Sequence, residues 1–260
     1  MRILILGGTT EARELAGRLA ASGGLEVTLS LAGRTKTPVA MPVPVQTGGF
    51  GGAEGLAAHL REQGIGALVD ATHPFAAAIS RNAAEAAART GTPLAVLHRP
   101  PWTPVPGDRW TEVRSVADAV GALGEEPRRV FVALGRQEVA AFEAAPRHHY
   151  LIRSVDPVEP PLALPHAAYL TARGPFAEAD ERALLEDNRI AVVVAKNSGG
   201  AAAYGKIAAA RTLALPVIVV RQPPAPETGT AVLDGVEAVV RFLDRVAADH
   251  RSVPAAARGV

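Results

Sequence analysis

Cysteine is absent from all 260 residues. That excludes a disulfide framework, a thiolate zinc site, a cysteine-ligated iron–sulfur cluster and a cysteine nucleophile. Aromatic residues make up only 4%. No excess of one charge exists either: 27 Lys and Arg stand against 26 Asp and Glu, for a net charge of +1. A general nucleic-acid binder would show a strong basic excess, so any charged ligand must be met by local charge. Lysine is scarce, with three (Lys36, Lys196 and Lys206) beside 24 arginines. Arginine grips anions bidentately, but a GC-rich genome produces the same bias, and composition leaves both open. Long apolar runs are missing too. The run after Met1-Arg2 stops at Leu6, too short for a signal-peptide core. No stretch approaches the about 18 apolar residues of a membrane span. The expected compartment is the cytoplasm.

Several catalytic patterns are also lacking. There is no G-x-S-x-G elbow, no G-x-x-x-x-G-K-[ST] phosphate loop and no H-E-x-x-H pair. Tyr204 has Ala208 four residues on, so it makes no Tyr-x-x-x-Lys pair, and Tyr150 and Tyr169 fail likewise. His148 and His149 are adjacent and would point to opposite sides of a strand rather than chelate. No metal site is expected.

What is present is an alternation of short β-rich runs with Ala/Leu-rich helical runs. Strands are expected near Arg2–Leu6, Glu26–Leu31, Ala67–Asp70 and Leu94–Leu97, with helices near Thr10–Ser22, Ala53–Gln63 and Phe75–Arg89. Ala12, Leu15, Ala16 and Leu19 recur at helical spacing. Continuous apolar strands such as Ile-Leu-Ile-Leu suit a parallel sheet buried on both faces. Pro100, Pro101, Pro104 and Pro106 then break the pattern. A second set follows, with strands near Val130–Leu134, Tyr150–Arg153, Tyr169–Ala172, Ile190–Ala195 and Val217–Arg221. Its helices fall near Ser115–Leu123, Arg136–Glu143, Ala177–Asn188, Ala201–Leu213 and Gly235–Asp249. The expected fold is α/β: two Rossmann-like lobes with parallel sheets and a cleft between them. The expected domains are 1–113, binding a dinucleotide, and 114–250, contributing substrate binding, with a tail at 251–260.

The strand Ile3–Leu6 runs through Gly7-Gly8-Thr9-Thr10 into Glu11-Ala12-Arg13. A strand entering a helix through glycines offers backbone N–H groups and a positive dipole end to phosphate. The third glycine of G-x-G-x-x-G is absent, so a capped turn without a ligand is equally consistent. The zone after the second strand reads Ser30-Leu31-Ala32-Gly33-Arg34-Thr35. It has no carboxylate for ribose hydroxyls, but Ser30, Arg34 and Thr35 suit a 2′-phosphate, so a bound dinucleotide would be NADP. Gly48-Gly49-Phe50-Gly51-Gly52 either wraps a ligand or only connects. Asp70-Ala71-Thr72-His73-Pro74-Phe75 ends the third strand. Pro74 suits a first helical position, and Thr72 and His73 fall at the carboxyl edge of the sheet. In the second lobe, Gly135-Arg136-Gln137, Arg153, Arg173 and Lys196-Asn197-Ser198-Gly199 fall at strand ends. Each could be a solvated terminus. Together they would form an anion-binding surface suited to a polycarboxylate.

This ordered set of segments, spanning about residues 1–248, resembles the precorrin-6A reductases of cobalamin biosynthesis. The resemblance implies NADPH-dependent reduction of one macrocycle double bond, with a hydride to C19 and a proton to C18, giving precorrin-6B. Related anaerobic enzymes act on the cobalt-containing macrocycle and look similar. Gly7, Gly8, Thr9, Thr10, Glu11, Arg13, Ser30, Arg34, Thr35, Thr72 and His73 are then expected at the cofactor. Gly135, Arg136, Gln137, Arg153, Arg173, Lys196, Asn197, Ser198 and Gly199 are expected at the tetrapyrrole. Lys196 is expected to steer a substrate carboxylate or stabilise charge, and His73 to donate a proton. The expected partner is a small-molecule polycarboxylate, without nucleic acid or membrane, and the chain is expected to be a monomer or a weak dimer. The rivals are another NADP-dependent oxidoreductase or nucleotide-sugar enzyme, and a two-lobed binding or regulatory protein.

Overall fold

The computed structural model describes residues 1–32, 41–224 and 230–252. In chain order the first elements are β1 (Arg2–Leu6), α1 (Thr10–Ser22), β2 (Glu26–Leu31), β3 (Val45–Thr47), α2 (Gly52–Glu62), β4 (Ile65–Asp70), α3 (Ala77–Thr90) and β5 (Leu94–His98). Next come β6 (Arg109–Val113), α4 (Val116–Ala122), β7 (Arg129–Ala133), a short 3-10 helix (Val139–Ala144), β8 (His149–Ser154), β9 (Ala167–Thr171), α5 (Glu178–Asp187), β10 (Val192–Lys196), α6 (Gly205–Thr212) and β11 (Pro216–Val220). The described chain closes with β12 (Ala231–Asp234) and α7 (Gly235–Ser252).

Two compact units result. The first comprises Met1–Arg99 and Pro223–Val260, the second Pro100–Gln222. Each holds a six-stranded sheet, in the orders β12-β5-β4-β1-β2-β3 and β6-β11-β10-β7-β8-β9. Among the described residues every strand pairing is parallel. Each sheet is doubly wound, reversing direction at one switch point. In the first unit this lies between β1 and β4; in the second, between β7 and β10.

The alternation of side chains along a strand explains the packing. Ile3 and Ile5 of β1 face α1 and α7, meeting Leu15, Leu19, Val239 and Leu243. Leu4 and Leu6 face the other side, meeting Leu56 and Leu60 of α2 and Ala83 and Ala86 of α3. A run of four apolar residues therefore reads as a strand with two covered faces. In the second unit Phe131, Val193, Val217 and Val219 pack with Leu185 of α5 and with Ile207 and Ala210 of α6.

The units divide differently from the expected boundary at 113. β6 lies in the second unit, paired with β11. β12 and α7 return to the first, where β12 pairs with β5. The first unit thus takes its edge strand β12 from beyond the run that builds the rest of its sheet, while β6 opens the continuous run of the second. β6 reads Arg-Trp-Thr-Glu-Val with every residue exposed or half-buried, so it carries little of the apolar signal that marks a strand. The Pro-rich break was the better marker, because the chain crosses between units at Arg99 and Pro100. α7 extends through Ser252, past the expected start of the tail; residues 253–260 lie outside the described residues.

Two helices also differ from expectation. α3 starts at Ala77, not Phe75, because Ala76 N–H donates to the His73 carbonyl and closes a separate turn first. Pro74 therefore sits in that turn. The expected helix at Arg136–Glu143 is instead a turn, in which Glu138 N–H donates to the Gly135 carbonyl, followed by the 3-10 helix.

Candidate functional site

Parallel strands place all their carboxyl ends on one edge of a sheet, and ligands favour that edge at the switch point. In the first unit this edge carries the turn after β1 and the turn after β4. Gly7 packs tightly, since a Cβ there would stand 2.5 Å from Leu29 Cδ1. Gly8 is different. It has a φ of 122°, which L side chains rarely adopt, and nothing lies within 4 Å of where its Cβ would stand. The backbone here turns open space toward the amino end of the 13-residue helix α1.

The hydroxyls of this turn divide into two roles. Thr9 is buried, caps α1 by accepting from Ala12 N–H at 3.1 Å, and donates to the Ala71 carbonyl at 2.8 Å. It stitches the β1 turn to the end of β4 and is spent on structure. Thr10 is exposed, with Arg13 donating to its hydroxyl at 3.3 Å. Thr72 is also spent: its N–H and hydroxyl both reach Asp70 Oδ1, at 3.0 and 2.6 Å. Ser30 is buried, and its carbonyl accepts from Gly7 N–H. Arg34 and Thr35, together with Gly33, lie outside the described residues. His73 is exposed, and its Nδ1 accepts from Phe75 N–H at 3.3 Å.

Sequence reasoning missed Arg99 here. It leaves the end of β5 and reaches Glu11 in the first turn of α1 at 3.3 Å, with 13% of its side chain exposed. Burial lowers its pKa, and the Glu11 carboxylate opposes that shift. Glu11 therefore anchors a cation beside the glycine turn. Its only sequence signal was position, an arginine directly after an apolar strand.

The second unit has a different edge. Lys196 ends β10, and its Nζ donates to Glu138 Oε2 in the turn after β7. Gly135, Arg136, Gln137 and Arg173 are exposed or nearly so at the ends of β7 and β9, and Ser198 and Gly199 are buried. Asn197 is buried and fully engaged with Trp102: Trp102 N–H donates to Oδ1 at 2.7 Å, and Nδ2 donates to the Trp102 carbonyl at 2.8 Å. The Trp102 indole N–H donates to the Gly200 carbonyl at 2.8 Å. Trp102, Phe176 and Tyr204 then wall an open cavity of about 490 Å³ beside Gly200, Ala201 and Gly205.

Arg153 does not join this edge. It turns inward, 6% exposed, into a two-toothed ion pair with Glu181 of α5. Its guanidinium also lies over the Phe176 and Phe131 rings, 3.8 and 4.9 Å from their centroids. A buried cation needs such partners, and α5 supplies the carboxylate. Lys206 of α6 is buried in the same region; its ammonium donates to the Ala203 carbonyl and lies 5.2 Å from the Trp102 ring centroid. Burial, with Arg153 adding to it, pushes the Lys206 pKa down to about 7, against the pull of Glu181. No sequence pattern marked Glu181 or Lys206, since both sit on helices as ordinary polar positions would.

Among the described residues no group of His, Asp or Glu could hold a metal ion, and no helix is long and apolar enough to cross a membrane.

Comparison with known proteins agrees with this geometry. The family described as "Precorrin-6x reductase CbiJ/CobK" matches residues 2–244. A Sinorhizobium sp protein named Precorrin-6A reductase is 63% identical over 225 residues, covering 86% of each chain. A Rhodobacter capsulatus protein of the same name is 50% identical over 259 residues, covering 100% of this chain and 99% of its own. A solved structure titled CobK precorrin-6A reductase superposes with a TM-score of 0.90 at 49% identity, covering 95% of this chain and 97% of its own. The chain is a member of the precorrin-6x reductase family, an oxidoreductase.

Proposed function

We propose that the chain reduces a double bond of precorrin-6A with NADPH, holding the dinucleotide at the first unit's carboxyl edge and the macrocycle at the second's. The carrying observation is that the family's reductase name comes with a helix-entry turn fit for a phosphate. Gly8 supplies the left-handed backbone and the open space. The first amides of α1 point from the helix end, and Thr10 and Arg13 stand at its rim. The end of β2, Ser30-Leu31-Ala32, brings no carboxylate to repel a 2′-phosphate, and Arg34 and Thr35 follow it. That favours NADPH over NADH.

When bound, the nicotinamide supplies hydride. The chain's own residues position, and one of them holds a proton. With His73 Nδ1 accepting from Phe75 N–H, a neutral ring would carry its proton on Nε2, the atom that this reading makes the donor. Lys196 and the strand-end arginines Arg136 and Arg173 match a ligand with several carboxylates. Relatives at 63% and 50% identity both bear the metal-free substrate's name.

Anaerobic incubation with precorrin-6A and NADPH, followed by absorbance of both, tests the reading. Coupled loss of NADPH and change in the macrocycle spectrum are expected. No change with precorrin-6A, or turnover with the cobalt-containing macrocycle alone, overturns it.

A further inference from the structure

We infer that Glu138 is a positioning residue for Lys196, and that Gly135 is glycine in order to admit the Glu138 carboxylate. The inference rests on the reading that the second unit's edge takes an acidic macrocycle.

β7 and β10 are neighbours with Ala133 aligned to Ala195. Leu134 and Lys196 therefore leave the sheet side by side, at the switch point. From β7 the chain folds back at once, Glu138 N–H donating to the Gly135 carbonyl at 2.9 Å. That turn lays the Glu138 side chain across the gap, where Oε2 receives the Lys196 ammonium. The two side chains are only 13% and 33% exposed, so water screens the pair less than it would on an open surface.

Gly135 supplies the independent observation. It is not among the glycines with positive φ, so its backbone does not demand glycine. A Cβ there would instead stand 3.2 Å from Glu138 Oε2, with no other atom within 4 Å. A side chain there would press on one atom, the oxygen that holds Lys196, and shift it by a few tenths of an ångström.

The consequence is local order. Lysine carries its charge on a flexible four-carbon stem, and a ligand that must immobilise such a stem loses affinity. Glu138 fixes the stem beforehand. An ammonium has three N–H donors, so the bond to Glu138 does not by itself exhaust it.

Steady-state kinetics of Glu138→Gln, Gly135→Ala, Lys196→Ala and the double variant Glu138→Gln/Lys196→Ala test this. Precorrin-6A and NADPH are each varied with the other saturating. Glu138→Gln is expected to raise the macrocycle KM about tenfold, with the NADPH KM unchanged and kcat within about twofold. Gly135→Ala should act in the same direction and less. The double variant should match Lys196→Ala, because Glu138 acts only through Lys196. A merely structural glutamate would lower the melting temperature and disturb both KM values alike. An unchanged macrocycle KM in Glu138→Gln, or losses that add in the double variant, overturns the positioning role. If Lys196→Ala itself keeps the macrocycle KM, the reading of this edge fails first and the positioning role with it. Should Glu138→Gln fail to fold, Gly135→Ala decides: a KM equal to that of the parent chain overturns the proposal.

Discussion

The two units place equivalent turns at equivalent points and fill them with opposite chemistry. In the first, the switch point between β1 and β4 is stitched by a neutral bond from the Thr9 hydroxyl to the Ala71 carbonyl. In the second, the point between β7 and β10 is bridged by an ion pair, Lys196 with Glu138. The first edge is mostly glycine and backbone amide, with the half-buried Arg99 tied to Glu11. The second presents charged side chains, an aromatic wall and a buried charged layer beneath. The winding supplies an edge, and the turn residues decide what that edge recognises. A backbone-lined edge suits a ligand whose phosphates are met by amides; a side-chain-lined edge suits one with scattered carboxylates.

Mutations can break that contrast in graded steps. The largest effect should come from the buried layer of the second unit. Arg153→Ala leaves the Glu181 carboxylate, 2% exposed, without its cation, and is expected to cost about 3–5 kcal/mol in urea unfolding. Arg153→Met/Glu181→Leu should recover most of that loss; no recovery would mean that the charge itself is required.

Lys206→Met tests the same layer by pH. The folded-state pKa lies near 7, below the roughly 10.4 of an unfolded lysine. Between those values the unfolded state binds more protons, so the parent chain gains stability as pH rises from about 7. Lys206→Met should be more stable than the parent chain at pH 6, by about 1–3 kcal/mol. That advantage should shrink steadily toward pH 10 in parallel unfolding curves. A constant difference would refute the buried charge.

At the first edge, Gly8→Val forces a β-branched residue to a φ of 122° and fills the space beside it. The NADPH KM should rise at least about tenfold, from roughly 1–2 kcal/mol of backbone strain, with the macrocycle KM unmoved. The smallest effect expected is that of Arg34→Ala: a rise of about fivefold in the NADPH KM, from loss of one phosphate contact of roughly 1 kcal/mol, with none for NADH. Equal effects on both cofactors would remove the 2′-phosphate assignment.

The sequence was most readable where one physical cause acts locally. The apolar run Ile3–Leu6, the helical stripe of Ala12, Leu15, Ala16 and Leu19, and the Gly7-Gly8 turn each announce themselves within a few residues. Legibility failed where a partner lies far along the chain. Arg153 looks like a strand-end cation until Glu181, 28 residues on, is seen to claim it. Asn197 looks like a binding side chain until Trp102, 95 residues earlier, occupies both ends of its amide. Thr9 and Thr72 show the same lesson at short range: a hydroxyl suited to phosphate is equally suited to a neighbouring carbonyl or carboxylate. The edge strands β6 and β12 escaped because half-exposed strands lose the apolar signal.

The return of β12 to the first unit bears on how the chain is made. The second unit is continuous from Pro100 to Gln222, so everything it needs leaves the ribosome in one stretch. The first unit begins earlier and finishes later. Its β5 waits for β12, with His98 and Asp234 bonded across a separation of 136 residues, and its core waits for Val239 and Leu243 of α7. Domains usually mature in the order of synthesis. Here the later one can close first, leaving the first unit with one open strand edge until β12 and α7 emerge.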